Sequence, residues 1–139
     1  MKTVILAEKP SVGKEIARVL GCNKTSNGGL IGDKYIITWA LGHLITLAMP
    51  EEMNKDWKSW NESTLPMIPR RFETRVISNT SKQFSNVKAF MKSSEVSELI
   101  IATDAGREGE LVARWIMMKA HCKKPAYRLW ISSQTDKAI

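Results

Sequence analysis

The sequence has little cysteine and no long apolar run. Its only two cysteines, Cys22 and Cys122, stand far apart among 139 residues and form no paired motif. This spacing excludes a zinc site built from paired cysteines and histidines, and it is typical of two free thiols in a reducing compartment. The apolar run Val4–Ala7 is stopped at once by Glu8, which predicts no signal peptide, and no run approaches the length of a membrane span. We therefore expect a cytoplasmic protein without a membrane partner.

Negative charge is scarce relative to positive charge. The chain has 14 Asp and Glu residues against 21 Lys and Arg residues, which leaves a formal net charge of +7. An excess of this sign favours acidic partners, nucleic acid first, with a plain basic surface as the alternative. Hydrophobic residues make up 43% of the chain and charged residues 25%, as in a globular protein with one core. The length fits a single domain over residues 1–139.

A nucleotide-binding glycine-rich loop is also missing. Gly13-Lys14 resembles the end of the pattern G-x-x-x-x-G-K-[ST], but the first glycine of that pattern would fall on Glu8 and its final Ser or Thr on Glu15. A carboxylate in a phosphate cradle repels a nucleotide. We therefore expect no nucleotide cofactor.

Apolar runs rich in β-branched residues alternate with amphipathic segments, which predicts an α/β fold with a mainly parallel sheet. The predicted strands are 3–7, 35–39, 72–77, 99–102 and 127–131. The predicted helices are 11–20, with Ser11 as its cap, 80–91 and 108–120. The turn-rich segment 23–34 is typical of a hairpin connection. A proline-rich, irregular insertion around 45–71 is expected to pack on the surface, and its tryptophans argue against disorder.

The most informative segment is Thr103–Ala113, which directly follows the apolar run Leu99–Ala102. The run predicts a buried strand that delivers Asp104 to its carboxyl end. A glycine-containing turn then leads into a helix that opens with Glu108 and Glu110. Ligands of open α/β sheets bind at this carboxyl edge, and carboxylate oxygens suit a hard cation such as Mg²⁺.

A further carboxylate follows the first predicted strand, where Ala7 leads to Glu8. If these strands are parallel neighbours, Glu8, Asp104 and Glu108 form a three-carboxylate cluster. Repulsion within such a cluster raises pKa values, and a divalent cation relieves it while leaving one carboxyl able to act as acid or base. The alternative is that Glu8 and Asp104 cap helices or lie in their first turns, where negative charge is favourable.

Basic side chains lie close to these acids in the sequence. Lys9 is a candidate point-charge contact for a phosphate, and Arg107 has the forked geometry to bind one. The alternatives are a solvated lysine and an ion pair of Arg107 with Glu110. His43, in Gly-His-Leu after the strand 35–39, either contacts a phosphate or satisfies backbone groups of the turn.

Three segments in order carry a family resemblance: Val4–Ser11, Gly42-His43-Leu44 and Ala102–Glu110. Together they are similar to the N-terminal Toprim domain of type IA DNA topoisomerases, most of all to the bacterial topoisomerase III branch. The similarity runs along the whole chain, and the combination of Ala-Glu-Lys-Pro with Arg-Glu-Gly-Glu is specific. The resemblance implies a Toprim (Rossmann-like) fold, with a four-stranded parallel sheet between helices. It also implies that the chain is the N-terminal fragment of a longer multidomain enzyme.

The resemblance further implies Mg²⁺ at an acidic site made of an N-terminal Glu and an Asp-x-Asp-x-Glu motif. Glu8 matches the N-terminal Glu, Asp104 the first Asp and Glu108 the last Glu. Gly106 stands where the second Asp of the motif would be, which removes one negative ligand. Asp104 and Glu108, helped by Glu8 or water, are still able to hold one Mg²⁺, because this ion usually keeps several waters.

The implied activity is ATP-independent cleavage of one DNA strand, passage of a second strand and religation through a 5′-phosphotyrosine. In this family, Glu8 would be the general acid for the leaving 3′-oxygen and the base on resealing. Lys9 would contact the scissile phosphate. Arg107, counted with the catalytic residues, and His43 would join it in binding a single-stranded region of DNA.

The attacking tyrosine of this family belongs to another domain. Tyr35 and Tyr127 fall in predicted strands and are expected to be packed, so the chain alone is expected to be inactive. Two other functions stay open: a Toprim domain of a primase or nuclease, and a non-catalytic basic DNA-binding module whose acids cap helices. Binding by such a module would depend strongly on salt and not on Mg²⁺. The resemblance places the protein in the bacterial cytoplasm, associated with the nucleoid.

Overall fold

The chain folds as a central sheet flanked by helices, in a computed structural model that describes residues 1–139. Its elements in chain order are β1 (Lys2–Ala7), α1 (Pro10–Val19), β2 (Lys24–Ser26), β3 (Gly29–Ile31), β4 (Tyr35–Trp39), β5 (Ile45–Leu47), α2 (Pro50–Met53), β6 (Thr74–Val76), α3 (Ser81–Lys92), β7 (Val96–Ala102), α4 (Arg107–Lys119) and β8 (Ala126–Arg128). Short 3₁₀ helices span Lys55–Lys58 and Ser78–Thr80. The strands form a six-stranded sheet in the order β2-β3-β4-β1-β7-β8 and a two-stranded sheet of β5 and β6.

The centre of the large sheet is parallel. β1 pairs with β4 on one side and with β7 on the other, and β7 pairs with β8, all in the same direction. The sequences of these strands are continuous apolar runs because a parallel sheet is covered on both faces. Val4, Ile37 and Leu99 are accordingly 0% exposed. The prediction of an α/β fold on four parallel strands is confirmed.

The turn-rich segment 23–34 adds an antiparallel hairpin to one edge of this sheet. β2 pairs with β3, and β3 pairs with β4. The two-residue turn is Asn27-Gly28, and the φ of +73° at Gly28 suits glycine in a tight hairpin turn. The hydroxyl of Thr38 and the amide of Gln83 both donate to the Gly28 carbonyl oxygen, at 2.7 Å and 3.2 Å. The composition of the segment predicts only a hairpin connection. In the structure the segment also forms two strands, because β3 pairs with the edge of β4.

Helices cover the two faces of the sheet with separate clusters of apolar side chains. Alternate residues of a strand point to opposite faces. Ile5 of β1 packs with α1 in a cluster of 5 buried residues, whereas Val4 and Leu6 join α3 and α4 in a cluster of 17. Full burial of one such aliphatic side chain contributes ~1.5–3 kcal/mol. This core fixes the carboxyl ends of β1 and β7 side by side.

The insertion expected around 45–71 is more regular at its start than its composition indicates. Its first residues form β5, which pairs with β6 and places Ile45 opposite Val76. Ile45 is 2% exposed, and this burial explains why a strand forms there. The strand predicted at 72–77 shrinks to β6, since Phe72 is 68% exposed and outside the pairing. The rest of the insertion holds only α2 and a short 3₁₀ helix.

The ends of α1 follow the chemistry of helix termini. The helix begins at Pro10 with Lys9 at the N-cap, so the prediction that Ser11 caps it is wrong. Proline suits this place because its fixed φ is helical and the first turn needs no donor from it. Gly21, with a φ of +68°, directly follows the C-cap Leu20, at the position where glycine commonly ends a helix. None of the helices combines the length and apolar character that crossing a membrane requires.

Candidate functional site

All six predicted site residues line one cavity at the carboxyl edge of the parallel strands. Ala7 at the end of β1 pairs with Ala102 at the end of β7, so the residues that follow both strands emerge together. The cavity measures about 460 Å³, and Val112 is the one hydrophobic residue in its lining. Its lining comprises Glu8, Lys9, Gly42, His43, Asp104, Gly106, Arg107, Glu108, Gly109 and Val112.

The carboxyl groups of Glu8 and Asp104 lie close enough to each other for a hydrogen bond between them. Such a bond needs a proton on one of the two groups. Burial raises the pKa of Glu8, and the hydrogen bond and negative charge of Asp104 raise it further, with a smaller contribution from Glu108. The ammonium group of Lys9 acts in the opposite direction. Glu8 therefore retains its proton at a higher pH than an isolated glutamate does.

Glu108 lies near Glu8 and Asp104, but its carboxylate is bonded to His43. Its Oε1 atom is 3.0 Å from Nε2 of His43, and its side chain is 79% exposed. No group of three or more His, Cys, Asp or Glu side chains is arranged to hold a metal ion. The three-carboxylate cluster expected from the sequence is thus assembled only in part, because His43 provides a partner for Glu108. Neither role weighed for His43 from the sequence includes this contact.

Neither Glu8 nor Asp104 acts as a helix cap. The N-cap of α1 is Lys9 and that of α4 is Gly106, and no side chain bonds the helix at either place. Of the three acids of the expected cluster, Glu108 alone lies in a first turn, that of α4, where negative charge is favourable. The alternative of capping acids therefore does not account for the pair that meets in the cavity.

Two arginines engage Glu110, and Arg107 is neither of them. Nε of Arg114 donates to one carboxylate oxygen at 2.7 Å, and Arg128 donates to the other oxygen through Nε at 3.1 Å and through Nη2. Arg128 first and Arg114 second hold the pKa of Glu110 below its usual range. The alternative ion pair of Arg107 with Glu110 is therefore wrong, and the exposed Arg107 faces the cavity.

The turn between β7 and α4 depends on a close approach at Gly109. A Cβ atom built there would lie 2.1 Å from the carbonyl oxygen of Asp104, and 2.8 Å and 2.9 Å from its backbone carbon and nitrogen. The hydroxyl of Thr103 donates to the carbonyl oxygen of Gly109 at 2.8 Å. By contrast, a Cβ at Gly106 would meet nothing within 4 Å. Gly109 thus allows the first turn of α4 to lie directly on the backbone of Asp104.

Neither tyrosine of the chain lines the cavity. Tyr35 is partly buried in β4 against the smaller apolar cluster. Tyr127 is 57% exposed, contrary to the packed position expected from the sequence, because it lies in the edge strand β8.

The chain matches a known domain family and several known proteins. The family model of the Toprim domain matches residues 3–134. The chain is 62% identical to DNA topoisomerase 3 of Shouchella clausii, 60% to that of Bacillus subtilis and 59% to that of Bacillus anthracis, each over 138 residues. These matches cover 99% of this chain but only 19% of each relative. The match to the domain model over nearly the whole chain shows that it belongs to the Toprim domain family.

Proposed function

We propose that this chain is the magnesium-binding Toprim domain of a type IA DNA topoisomerase of the topoisomerase III kind. The parent enzyme cleaves one DNA strand, passes a second strand and reseals the break without ATP. The observation that carries the proposal is the meeting of Glu8 and Asp104 at two adjacent strand ends, with Lys9 and Arg107 in the same cavity. The names of the relatives favour this activity over that of a primase or nuclease.

The residues present fit a hard divalent cation. Burial and the neighbouring carboxyl group of Asp104 raise the pKa of Glu8, and a cation bound beside the two groups would relieve the repulsion between them. Glu108 is mostly exposed, so its side chain is free to leave His43 and become a third oxygen ligand. Mg²⁺ prefers oxygen ligands and keeps several waters, so the missing carboxylate at Gly106 does not prevent binding. When bound, the ion supplies positive charge that orients the DNA phosphate and stabilises charge developing on it.

The side chains around the acids supply the proton transfer and the grip on DNA. Glu8 has a raised pKa, which suits a general acid that protonates the leaving 3′-oxygen and takes the proton back on resealing. Lys9 and Arg107 are both exposed at the cavity and bind the scissile phosphate, one as a point charge and one as a fork. His43 also lines the cavity and contacts the DNA backbone once Glu108 is released.

The nucleophilic tyrosine comes from a part of the parent protein outside this chain. Both tyrosines of the chain lie outside the cavity, so the chain alone does not cleave DNA. Its partners are a single-stranded region of DNA and the remaining domains of the same enzyme. The net charge of +7 favours the nucleic-acid partner. The working place of such an enzyme is the bacterial cytoplasm, at the nucleoid.

Replacing Lys9 with alanine tests the proposed grip on the scissile phosphate. We expect relaxation of negatively supercoiled DNA by the full-length protein to slow at least about tenfold, because a positive charge at the reacting phosphate is lost. The Mg²⁺ affinity of the chain should stay unchanged. Lys14→Ala, which removes the same charge from an exposed position on α1, is the matched control and should relax DNA normally. Normal relaxation by Lys9→Ala, or loss of Mg²⁺ binding in it, would contradict the assignment.

Replacing Gly106 with aspartate should strengthen the metal site. The position has a φ of −121° and open space for a side chain, and aspartate is a favourable N-cap for α4. An added carboxylate at this turn should raise Mg²⁺ affinity about tenfold, because affinity follows the charge of the ligand set. Gly106→Asn is the control, since it caps the helix equally well without adding charge. Calorimetric titration that gives equal affinities for the two variants would show that no cation binds beside this turn.

A further inference from the structure

Arg128 reaches from the edge strand β8 to both sides of the turn that carries the acids. We call residues 103–109 the carboxylate turn. On the strand side, Nη1 donates to the Thr103 carbonyl oxygen and Nη2 to the Thr103 hydroxyl oxygen at 3.2 Å. On the helix side, Nε and Nη2 donate to the Glu110 carboxylate. One guanidinium group therefore ties the end of β7 to the first turn of α4.

The bonds from Arg128 to Thr103 are shielded from water, whereas the Glu110 side chain is 41% exposed. The Arg128 side chain is 22% exposed, and Thr103 is 3% exposed. The Thr103 hydroxyl in turn donates to the carbonyl oxygen of Gly109 at 2.8 Å, and this bond links the two ends of the carboxylate turn. Charge-assisted bonds of a planar fork are among the strongest in proteins, and lysine cannot reproduce their geometry. Arg114 also binds Glu110, but it does so across one exposed helical turn and makes no hydrogen bond to the carboxylate turn.

We propose that Arg128 is a positioning residue that fixes the carboxylate turn, and so sets the places of Asp104 and Glu108 relative to Glu8. Arg128 does not line the cavity, so it acts through the turn and not on the phosphate. The metal-binding part of this inference rests on the proposed function. The rigidity of the turn does not, and it is measurable without any metal.

The test compares Arg128→Lys with Arg114→Lys, which changes the other arginine bound to Glu110. Backbone NMR order parameters report the rigidity of residues 103–109, and those of β1 report the sheet. In Arg128→Lys we expect order parameters of the carboxylate turn to fall from about 0.85 toward 0.6 while those of β1 stay unchanged. Mg²⁺ affinity should fall about 10–100-fold, as for lost support of metal ligands. Arg114→Lys should match the wild type in both respects.

Two outcomes would overturn the inference. An unchanged carboxylate turn in Arg128→Lys would show that the arginine does not fix it. Loss of order in β1 as well would show that Arg128 serves the stability of the sheet as a whole. If the wild-type chain binds no Mg²⁺, the proposed function fails, and the order parameters alone still decide whether Arg128 positions the turn.

Discussion

Asn in place of Asp104 is expected to lower the Mg²⁺ affinity of the chain at least about tenfold, since even supporting residues of metal sites contribute that much. Asp104 is the carboxyl group that meets Glu8, and asparagine keeps its size while removing its charge. Isothermal titration calorimetry measures the change. Asp33→Asn, at an exposed position outside the cavity, is the matched control and should bind Mg²⁺ as the wild type does.

The same variant tests how far Asp104 raises the pKa of Glu8. The negative charge and hydrogen bond of Asp104 both raise the pKa of Glu8, whereas an asparagine amide donates to the ionised form. The pKa of Glu8 should therefore fall in Asp104→Asn, although burial continues to raise it. Titration of the Glu8 side-chain carboxyl by ¹³C NMR follows this directly. Equal metal affinity for wild type and variant, with an unmoved Glu8 pKa, would remove Asp104 from the site.

Replacing Gly109 with alanine is expected to destabilise the fold by about 3 kcal/mol, the upper range for forcing atoms into a packed place. The added Cβ would lie 2.1 Å from the carbonyl oxygen of Asp104, and its three nearest neighbours are all backbone atoms. None of them can yield by changing a rotamer, so the turn itself must move. Chemical denaturation measures the loss, and the displaced Asp104 should also weaken Mg²⁺ binding.

Gly106→Ala is the matched control for that prediction. It adds the same methyl group three residues earlier, where nothing lies within 4 Å. Because alanine is a poor N-cap, a loss below about 1 kcal/mol is expected there. If the two alanine variants were equally stable, the close contact at Gly109 would not be what shapes the turn.

The sheet was readable from the sequence because its central strands obey a simple rule. A strand buried on both faces is apolar throughout, as in Val4–Ala7 and Leu99–Ala102, and parallel neighbours present their carboxyl ends together. The meeting of Glu8 with Asp104 follows from that rule once β1 and β7 are neighbours, an adjacency that the two strand sequences do not specify. The short strand β5 could not be predicted from the sequence, since three residues carry no periodicity. Its pairing with Val76 is set by tertiary burial.

The side-chain contacts within the site were less readable, because they join distant parts of the chain. His43 and Glu108 are 65 residues apart, and no local pattern indicates their bond. Arg128 lies 25 residues after Thr103, in a segment for which the sequence predicts only a strand. An arginine within an apolar run was the one available signal, since a buried charge needs partners. Arg107, by contrast, was correctly placed at the acidic cavity by its position in the motif.

The most direct test of the account is a titration of Mg²⁺ into this chain, followed by backbone amide NMR shifts. We predict saturable shifts clustered at Glu8, Asp104 and Glu108, and their loss in Glu108→Ala. Such a result would mean that the carboxyl groups gathered by β1, β7 and α4 form one metal site despite Gly106. Diffuse shifts that do not saturate, or clustered shifts that persist unchanged in Glu108→Ala, would contradict the claim that these three acids bind the ion together.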